Sequence, residues 1–377
     1  MGAGAEVRGG AAAAVGQGLA AVDTPALLVD LDRLESNIAY IAETCRAAGV
    51  AWRPHIKGQK APALVALEQA AGARGITCAK LGEAEAMEAA GIRDILIANQ
   101  IVGPLKLARL AALAARCTLI VAVDDPGNVA AIGAAAAAAG SRLGVVAEVN
   151  LGMNRAGVEP GAPVLALAEA AARQPALTFR GVMGWESHAV TIADPAEKER
   201  TVAAALAILV ESAALCRRAG HAEATIVSCG GTGTFPYCAR QPGVTEVQVG
   251  GGVFSDVHYR QDYHYDRPPA LTLLATVTSR PTPTRVILDA GRKAMSCDTA
   301  MPEPLGLPQP LARPPRLSAE HATIELAAPS ATPRVGDRLR LLVGYGDTTV
   351  HLHEELVALR GGRVEAVWPV TARGKLK

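Results

Sequence analysis

The sequence lacks the features of several broad protein classes. Only 19% of its 377 residues are charged, the formal net charge is +1 and no basic run occurs, so neither nucleic acid nor an anionic membrane is an expected partner. No stretch approaches ~18 uninterrupted strongly apolar residues, because Ala-rich runs such as 132–140 are too short and too weakly hydrophobic to span a bilayer. Half of the residues are hydrophobic, which excludes disorder. We expect a soluble protein that binds a small neutral or zwitterionic molecule.

Paired cysteines and a signal peptide are also missing. The seven cysteines are scattered, odd in number and without a CxxC pair, which argues against a disulfide framework and a thiolate zinc site. A reducing, cytoplasmic compartment is therefore expected. The Gly-rich start contains Glu6 and Arg8 where a signal peptide needs an unbroken apolar core. Residues 1–22 are accordingly predicted to be a flexible tail.

Short apolar runs alternate with Ala-, Leu- and Glu-rich helical segments along most of the chain. There are eight such runs, at 50–53, 75–79, 94–98, 118–123, 144–150, 177–183, 224–228 and 245–249. A repeated strand and helix predicts parallel strands with right-handed crossovers, and eight repeats close a barrel. The pattern therefore favours an α/β fold with a (β/α)8 TIM-like barrel over residues 32–267. An open doubly wound sheet is the alternative.

The pattern changes from about Pro268 onward. Strand-like runs at 271–279, 285–289, 338–344 and 363–369 are separated by Pro-rich connections such as 302–315. This pattern of strand-like runs and Pro-rich connections predicts a mostly antiparallel β domain over residues 268–377. A further strand is predicted within residues 23–31, before the first helix.

A lysine follows the first barrel strand, in the segment RPHIKGQK. In barrel enzymes the catalytic groups lie in the loops after the carboxyl ends of the strands. Lys57 occupies such a loop, flanked by His55 and by Pro54 with its fixed φ. A lone lysine is most often a solvated surface residue, but at a barrel mouth its amine can form a Schiff base. We take Lys57 as the first candidate catalytic residue, and His188 and Asp347, whose loops are described below, as the other two.

Two glycine-rich loops follow the last two barrel strands. The first begins at Ser228 and reads SCGGTGT, including Gly231 and Thr232, and the second is the triple glycine that contains Gly251 and Gly252. Each loop alone is compatible with a plain tight turn. Together they predict a phosphate site, because glycines let backbone N–H groups converge on an anion. No GxxxxGK[ST] motif occurs, so a nucleoside triphosphate is not indicated.

The loops after the fifth and sixth strands supply further polar candidates. Arg155 is compatible with an outer salt bridge or with a contact to the phenolate oxygen of a phosphorylated pyridine ring. In the next loop, Trp185 is large enough to fill space at the rim of the barrel without any catalytic role. His188 is either a structural histidine or an acid/base residue.

A polar segment in the second domain, residues 345–353, suggests a metal site. If it is one strand, its odd-numbered residues share a face. These are Tyr345, Asp347, Thr349, His351 and His353. Histidines and a carboxylate on one face can ligate a divalent cation, and a hydrogen-bonded polar face is the equal alternative.

These residues collectively resemble the fold-type III pyridoxal-phosphate enzymes, and within them the D-threonine aldolase and D-serine dehydratase group. The resemblance covers almost the whole chain, and its most specific elements are RPHIK at 53–57 and GGTGT at 230–234. It implies an alanine-racemase-like barrel, a first strand at 23–31 that joins the β domain, pyridoxal 5′-phosphate as cofactor and a head-to-tail homodimer. It also implies roles for individual residues: Lys57 as the Schiff-base lysine, Arg155 at the phenolate oxygen, and Gly231, Thr232, Gly251 and Gly252 at the phosphate, with His55 and Ser228 as further candidate cofactor contacts.

The resemblance implies a lyase that acts on D-configured β-hydroxy amino acids and splits them into glycine and an aldehyde. A D-serine or D-3-hydroxy amino acid dehydratase, an amino-acid racemase and a non-enzymatic cofactor carrier are the alternatives. Relatives commonly place a histidine two residues before a cysteine or aspartate, and that pair binds a divalent metal. Here Tyr345 stands at the histidine position before Asp347. A Mn, Mg or Zn site that uses Asp347, His351 and His353 is therefore an open expectation.

Overall fold

The computed structural model describes residues 14–377, which form two compact units. The barrel unit takes in Ile38–Gly252, Gln261–Tyr265 and Thr371–Lys377. The β unit takes in the described residues up to Asn37 together with Val253–Arg260 and Asp266–Val370. The barrel was predicted over residues 32–267 and the β domain over residues 268–377 together with the strand at 23–31, whereas each observed unit collects several further segments.

The chain begins with strand β1 (Ala26–Asp30) and helix α1 (Leu31–Ala48) and continues through eight strands of the barrel unit. These strands are β2 (Ala51–Trp52), β3 (Ile76–Cys78), β4 (Asp94–Gln100), β5 (Thr118–Val123), β6 (Leu143–Glu148), β7 (Leu177–Met183), β8 (Ile226–Cys229) and β9 (Glu246–Val247). All neighbouring pairs run parallel, in the order β2-β9-β8-β7-β6-β5-β4-β3. A parallel bridge between His55 and Thr77 joins the two ends of this order. The sheet therefore closes, which confirms the barrel and rejects the open doubly wound alternative.

Helices separate the barrel strands, and a short helix follows the last strand. They are α2 (Pro62–Ala70), α3 (Leu81–Ala89), α4 (Pro104–Ala114), α5 (Pro126–Ala138), α6 (Ala162–Ala172), α7 (Pro195–Arg218), α8 (Phe235–Cys238) and α9 (Val257–Gln261). Several begin with proline, which costs no intrahelical hydrogen bond in the first turn. Asp125 and Asp194 cap α5 and α7, since their carboxylates accept the N–H groups of Asn128 at 2.6 Å and Glu197 at 2.7 Å. Within residues 14–377, no helix has both the length and the apolar character needed to cross a bilayer.

The barrel core is built from the apolar runs that identified the strands. One buried cluster joins side chains of five successive strands: Leu96, Ile120, Ala122, Val146, Met183 and Ile226. Their burial removes apolar surface from water and fixes the strand ends from which the loops project.

The β unit is a mostly antiparallel sheet, as predicted. Its elements after α9 are β10 (Leu271–Thr282), β11 (Arg285–Leu288), β12 (Glu303–Pro304), β13 (Arg316–Leu317), β14 (Ala322–Glu325), β15 (Arg338–Leu342), helix α10 (Gly346–Thr349), β16 (Glu355–Arg360) and β17 (Arg363–Pro369). Strand β1 pairs antiparallel with β10 and parallel with β16. The first strand therefore joins this sheet, an arrangement that the family resemblance implies.

Part of the segment that was predicted to be a flexible tail is packed against the β unit. The Gly16 N–H donates to the Val364 carbonyl at 2.8 Å, and the Val364 N–H donates to the Gln17 carbonyl at 2.9 Å. Ala14 and Val22 are buried in the same apolar cluster as β1 and β16 side chains. Residues 14–22 are thus ordered by pairing next to β17, which their Gly-rich composition does not reveal; residues 1–13 lie outside the described part of the chain.

The segment 345–353 is not a strand, so the predicted alternation of its side chains is wrong. It folds into α10 and a 3-10 turn at Val350–Leu352. The Asp256 carboxylate accepts the Gly346 N–H at 2.7 Å, and the Thr349 hydroxyl donates to the Tyr345 carbonyl at 2.8 Å. These bonds stabilise a compact turn instead of an extended chain.

Candidate active site

Lys57 lies in a 3-10 turn, Ile56–Gly58, directly after β2. The ring nitrogen Nδ1 of His55 accepts the Lys57 N–H at 3.4 Å and so caps this turn. Burial, and then the positive charge of Lys57, lowers the pKa of His55 well below its ordinary value. The imidazole is therefore neutral at neutral pH, and its role in the structure is to hold the turn that carries the lysine.

The second glycine loop lies against the Lys57 turn. A Cβ added at Gly250 would lie 2.0 Å from the His55 carbonyl oxygen, so only glycine permits this approach. Gln59 ties the two segments together, because its Nε2 donates to the Gly250 carbonyl at 3.0 Å and to Glu68 Oε1 at 2.6 Å. Burial raises the pKa of Glu68 to about 8. The loop that contains Gly251 and Gly252 is thereby fixed beside Lys57.

The two glycine loops lie next to each other. A Cβ added at Gly252 would lie 3.2 Å from Thr232 Cγ2, and one at Gly231 would lie 3.1 Å from Trp185 Nε1. Added side chains at either position would press on these neighbours. The sequence prediction that Gly231, Thr232 and Gly252 belong to one place is consistent with this packing.

The Trp185 ring lies close to two positive groups of the barrel mouth. Lys57 Nζ is 5.4 Å from the centroid of its ring, and Arg155 Cζ is 5.6 Å from it. Both distances are within the range of cation–π attraction. The indole Nε1 is buried and has no hydrogen-bond partner among the described residues. An orphaned buried donor is costly unless a ligand accepts its hydrogen bond.

Arg155 is carried by the loop after β6, which a bridge between Val149 and Val158 closes at its base. Asn150 organises the loop, because its Oδ1 accepts the N–H groups of Gly152 and Asn154, each at 3.1 Å. The arginine side chain is exposed at the rim. The loop therefore presents the guanidinium while its backbone is held from within.

The mouth of the barrel fits an anionic aromatic cofactor. It combines a lysine amine, a guanidinium, two glycine turns in contact and an indole N–H without a partner in the described structure. An amine can form an imine with an aldehyde, while glycine N–H groups and a guanidinium bind phosphate or phenolate oxygens. Pyridoxal 5′-phosphate carries these groups on one ring.

Two further predicted site residues, Ser228 and His188, have surroundings that differ from those of the groups around Trp185. Ser228 is fully buried, donates to Glu246 Oε1 at 2.8 Å and accepts from Gln248 Nε2 at 2.9 Å. It belongs to a network inside the barrel. His188 is exposed in the 3-10 turn Ser187–Ala189, and a Cβ added at Gly152 would lie 3.2 Å from its Cε1.

The structure adds Glu148 to the groups at the strand ends, a residue for which no role was predicted. It is the last residue of β6 and accepts a hydrogen bond from Gln100 Nε2 at 2.5 Å. Burial raises the pKa of Glu148, and the hydrogen bond from Gln100 and the charge of Arg155 oppose this shift. Its position at a strand end was the signal that could have identified it.

One group of possible metal ligands occurs within residues 14–377: Glu186, Cys229 and Cys238. All three are buried, and Glu186 Oε1 accepts the Cys238 thiol at 3.3 Å and the Thr234 hydroxyl at 2.5 Å. Burial, and then the hydrogen bond with Cys229, raises the pKa of Cys238 well above its ordinary value. Hydrogen bonds thus tie these side chains to one another and to Thr234 in the interior of the barrel unit.

The predicted metal ligands of the β unit do not form such a group among the described residues. The Asp347 carboxylate accepts hydrogen bonds from the phenols of Tyr345 and Tyr259. His353 Nε2 lies 2.7 Å from the Ala294 carbonyl oxygen, and His351 is half-buried. The strand prediction had aligned these side chains, and the helical turn separates them.

A closed barrel with a lysine after its first strand and glycine loops after its last two defines an alanine-racemase-like enzyme class. The pattern of the alanine racemase N-terminal domain matches residues 29–257, and that of a putative serine dehydratase domain matches residues 270–359. The chain belongs to the fold-type III pyridoxal-phosphate enzymes, in the D-threonine aldolase and D-serine dehydratase group, and is a pyridoxal-phosphate-dependent lyase.

Relatives of known activity support this assignment over nearly full length. A D-threonine aldolase from an Arthrobacter species is 38% identical, with 95% of each chain covered. The crystal structure of D-threonine aldolase from Filomicrobium marinum has a TM-score of 0.90 at 35% identity and covers 95% of this chain and 98% of its own. D-threo-3-hydroxyaspartate dehydratase from Delftia sp. HT23 has a TM-score of 0.82 at 30% identity, with 93% and 98% covered.

Proposed function

We propose that this lyase cleaves D-configured β-hydroxy amino acids between Cα and Cβ and releases glycine and an aldehyde. Two relatives named D-threonine aldolase support this choice. The observation that carries it is the convergence of Lys57 and Arg155 on the Trp185 ring beside the glycine loops. That arrangement suits a site for a cofactor with an aldehyde and two anionic groups.

The proposed cofactor contacts follow from the donors at the mouth of the barrel. Lys57 supplies the amine for the covalent bond, and its Nζ can afterwards hold a proton. The backbone N–H groups near Gly231 and Gly252, with the Thr232 hydroxyl, bind the phosphate, while Arg155 binds the phenolate oxygen. When bound, pyridoxal phosphate accepts the electron pair that is left on Cα after bond cleavage.

His55 and His188 have different proposed roles. The neutral His55 ring accepts the Lys57 N–H, so it positions the turn and carries no charge that would repel a substrate amine. His188 is exposed in the loop after β7, and we propose that it exchanges protons with the substrate. Replacing it with Asn should lower kcat while the cofactor spectrum is retained; an unchanged kcat would remove it from the reaction.

A dehydratase is the second candidate. The similarity to D-threo-3-hydroxyaspartate dehydratase supports it, since the same lysine could remove the α-proton before the hydroxyl leaves. Racemisation needs a base on each face of the substrate. A non-enzymatic carrier is disfavoured because the chain has a second unit over Asp266–Val370 in addition to the barrel.

Product analysis distinguishes these functions. The holoenzyme is incubated with a panel of D- and L-β-hydroxy amino acids, and the products are identified by mass. Glycine with an aldehyde, from the D-configured substrates only, is the expected result. A 2-oxo acid with ammonia, or an inverted amino acid, would overturn the aldolase in favour of the dehydratase or the racemase.

Replacement of Lys57 tests the site that this function requires. Lys57→Ala should abolish turnover and the visible absorption of the lysine-bound cofactor, because no other amine is proposed to hold the aldehyde. Circular dichroism of the variant checks that the barrel folds. A borohydride-reducible cofactor adduct that persists in this variant would contradict the assignment.

We further propose that the enzyme is a homodimer in the cytoplasm. The dimer is implied by the family resemblance, and its test is the mass in light scattering, where a monomer at micromolar concentration would contradict it. All seven cysteines lack a disulfide, which is consistent with a reducing compartment. Localisation of a tagged chain checks this proposal.

A further inference from the structure

Asp347 is held by two tyrosines in the β unit. The Tyr345 hydroxyl donates to Asp347 Oδ2 at 3.0 Å, and the Tyr259 hydroxyl donates to Oδ1 at 3.2 Å. Each carboxylate oxygen therefore accepts a phenol O–H. Hydrogen bonds to a charged carboxylate are stronger than those between neutral groups. The two phenols thus fix the position of the carboxylate group.

The two tyrosines are positioned by a common frame. Their rings meet edge to face, with centroids 5.6 Å apart and planes at 83°. Their backbones are tied together by the buried Asp256, whose carboxylate accepts the Tyr259 N–H at 2.8 Å and the Gly346 N–H at 2.7 Å. A Cβ at Gly346 would lie 3.2 Å from Asp256 Oδ2, so glycine favours this close approach. The phenol pair is therefore a preorganised feature of the fold.

The ligand chemistry of this site does not match that of a divalent cation. A histidine at the Tyr345 position would offer a neutral nitrogen lone pair at pH 7, whereas a phenol with a pKa of about 10 must first lose its proton to become an anionic ligand. A cation at Asp347 would also have to displace the hydrogens that both phenols direct at the carboxylate. His353, within hydrogen-bond distance of the Ala294 carbonyl, does not take the place of the missing histidine.

We infer that Tyr259 and Tyr345 hold Asp347 in this chain in place of a divalent cation, and that the enzyme is independent of such a cation. Asp347 is then a carboxylate positioned by hydrogen bonds. The absence of metal binding follows from the ligand set alone, whereas metal-independent activity also rests on the proposed function.

A metal titration of the holoenzyme and three variants tests the inference. After chelation and dialysis, Mn²⁺ binding is measured by calorimetry and retained metal by mass spectrometry. The parent and Tyr345→Phe should bind no stoichiometric Mn²⁺. Tyr345→His should gain stoichiometric binding, because it creates a histidine two residues before the carboxylate, and Asp347→Ala in that background should abolish it.

Two results would overturn the inference. The first is stoichiometric Mn²⁺ on the parent that is lost in Asp347→Ala. The second is the absence of Mn²⁺ binding in a Tyr345→His variant that unfolds at the same temperature as the parent. Such a result would mean that Tyr345 is not the reason why this site binds no metal. Turnover of the parent should be the same with and without chelator. A parent without turnover would refute the proposed function, whereas the titration would still test the metal site.

Discussion

Trp185 is the residue on which the groups at the barrel mouth converge, and its indole N–H is the donor that a bound anion can satisfy. We predict that Trp185→Phe, which keeps an aromatic ring for Lys57 and Arg155 but removes this donor, weakens cofactor binding by about tenfold to a hundredfold, as expected for a hydrogen bond to a charged group. Equilibrium dialysis of the apoprotein with pyridoxal phosphate measures the change. Trp368→Phe, in β17, is the matched control. Equal affinities in parent and Trp185→Phe would show that the indole N–H does not contact the cofactor.

Glu68 gives the barrel unit a specific pH dependence. Glu68 Oε2 and Gln59 Oε1 have no hydrogen-bond partner among the described residues. Both atoms are acceptors, so a proton on the Glu68 carboxyl group supplies the donor that they lack. Burial raises the pKa of Glu68 from 4.5 to about 8, so the folded state keeps a proton that the unfolded chain releases within this range. The stabilising contribution is complete below pH 4.5 and is lost as the pH rises through about 8.

We therefore predict that Glu68→Gln reduces the pH dependence of stability. Within that window a difference of one bound proton changes the free energy of unfolding by roughly 1.4 kcal/mol per pH unit. The neutral amide removes this slope, and urea unfolding at a series of pH values measures it. Glu223→Gln, at an exposed position, serves as control. Parallel curves for the parent and Glu68→Gln would contradict the protonated carboxyl.

At the level of single residues, the candidate site was predicted from strand position. Lys57, Arg155 and the glycine loops come after barrel strands, and the structure brings Lys57 and Arg155 to one tryptophan ring. The surroundings of Asp347 could not be predicted. Polar residues at alternate positions imitate a strand, whereas Asp256, 90 residues before Gly346 in the chain, accepts its N–H and favours the turn.

Among the elements, the loop after β9 depends most on glycine. We predict that Gly250→Ala displaces this loop from the Lys57 turn, because the added Cβ would lie 2.0 Å from the His55 carbonyl oxygen. Cofactor affinity should fall at least tenfold, which dialysis measures. At Gly18 an added Cβ meets no atom within 4 Å, so Gly18→Ala is the control. Unchanged affinity of Gly250→Ala would mean that the loop does not contribute to the cofactor site.

The strands of the barrel were predictable because each is an apolar run between two helical segments. The runs at 118–123 and 177–183 coincide with β5 and β7 as the structure has them. Several strands of the β unit were not predicted. Strands β12 and β13 have two residues each, too few for an alternating pattern, so their pairing partners determine them and their own sequence does not.

For the whole molecule, the grouping of segments into units is not visible in local composition. Residues 253–260 precede the change of sequence pattern at Pro268 and yet belong to the β unit, while Thr371–Lys377 belongs to the barrel unit. Composition reports the local environment of a segment, whereas the unit to which a segment belongs depends on contacts between residues far apart in the chain. A contiguous division of the sequence therefore misplaces both segments.

The stability of the whole protein should depend on cofactor binding at Lys57. A ligand that binds only the native state stabilises it by ~2.7 kcal/mol at a free concentration ~100-fold above the dissociation constant. Excess pyridoxal phosphate should accordingly raise the unfolding temperature of the parent apoprotein by several degrees, which calorimetry measures. In Lys57→Ala the covalent bond is lost and only the noncovalent contacts of the glycine loops and Arg155 act, so the increase should be smaller at the same concentration. An equal increase in both proteins would mean that the amine of Lys57 contributes nothing to holding the cofactor.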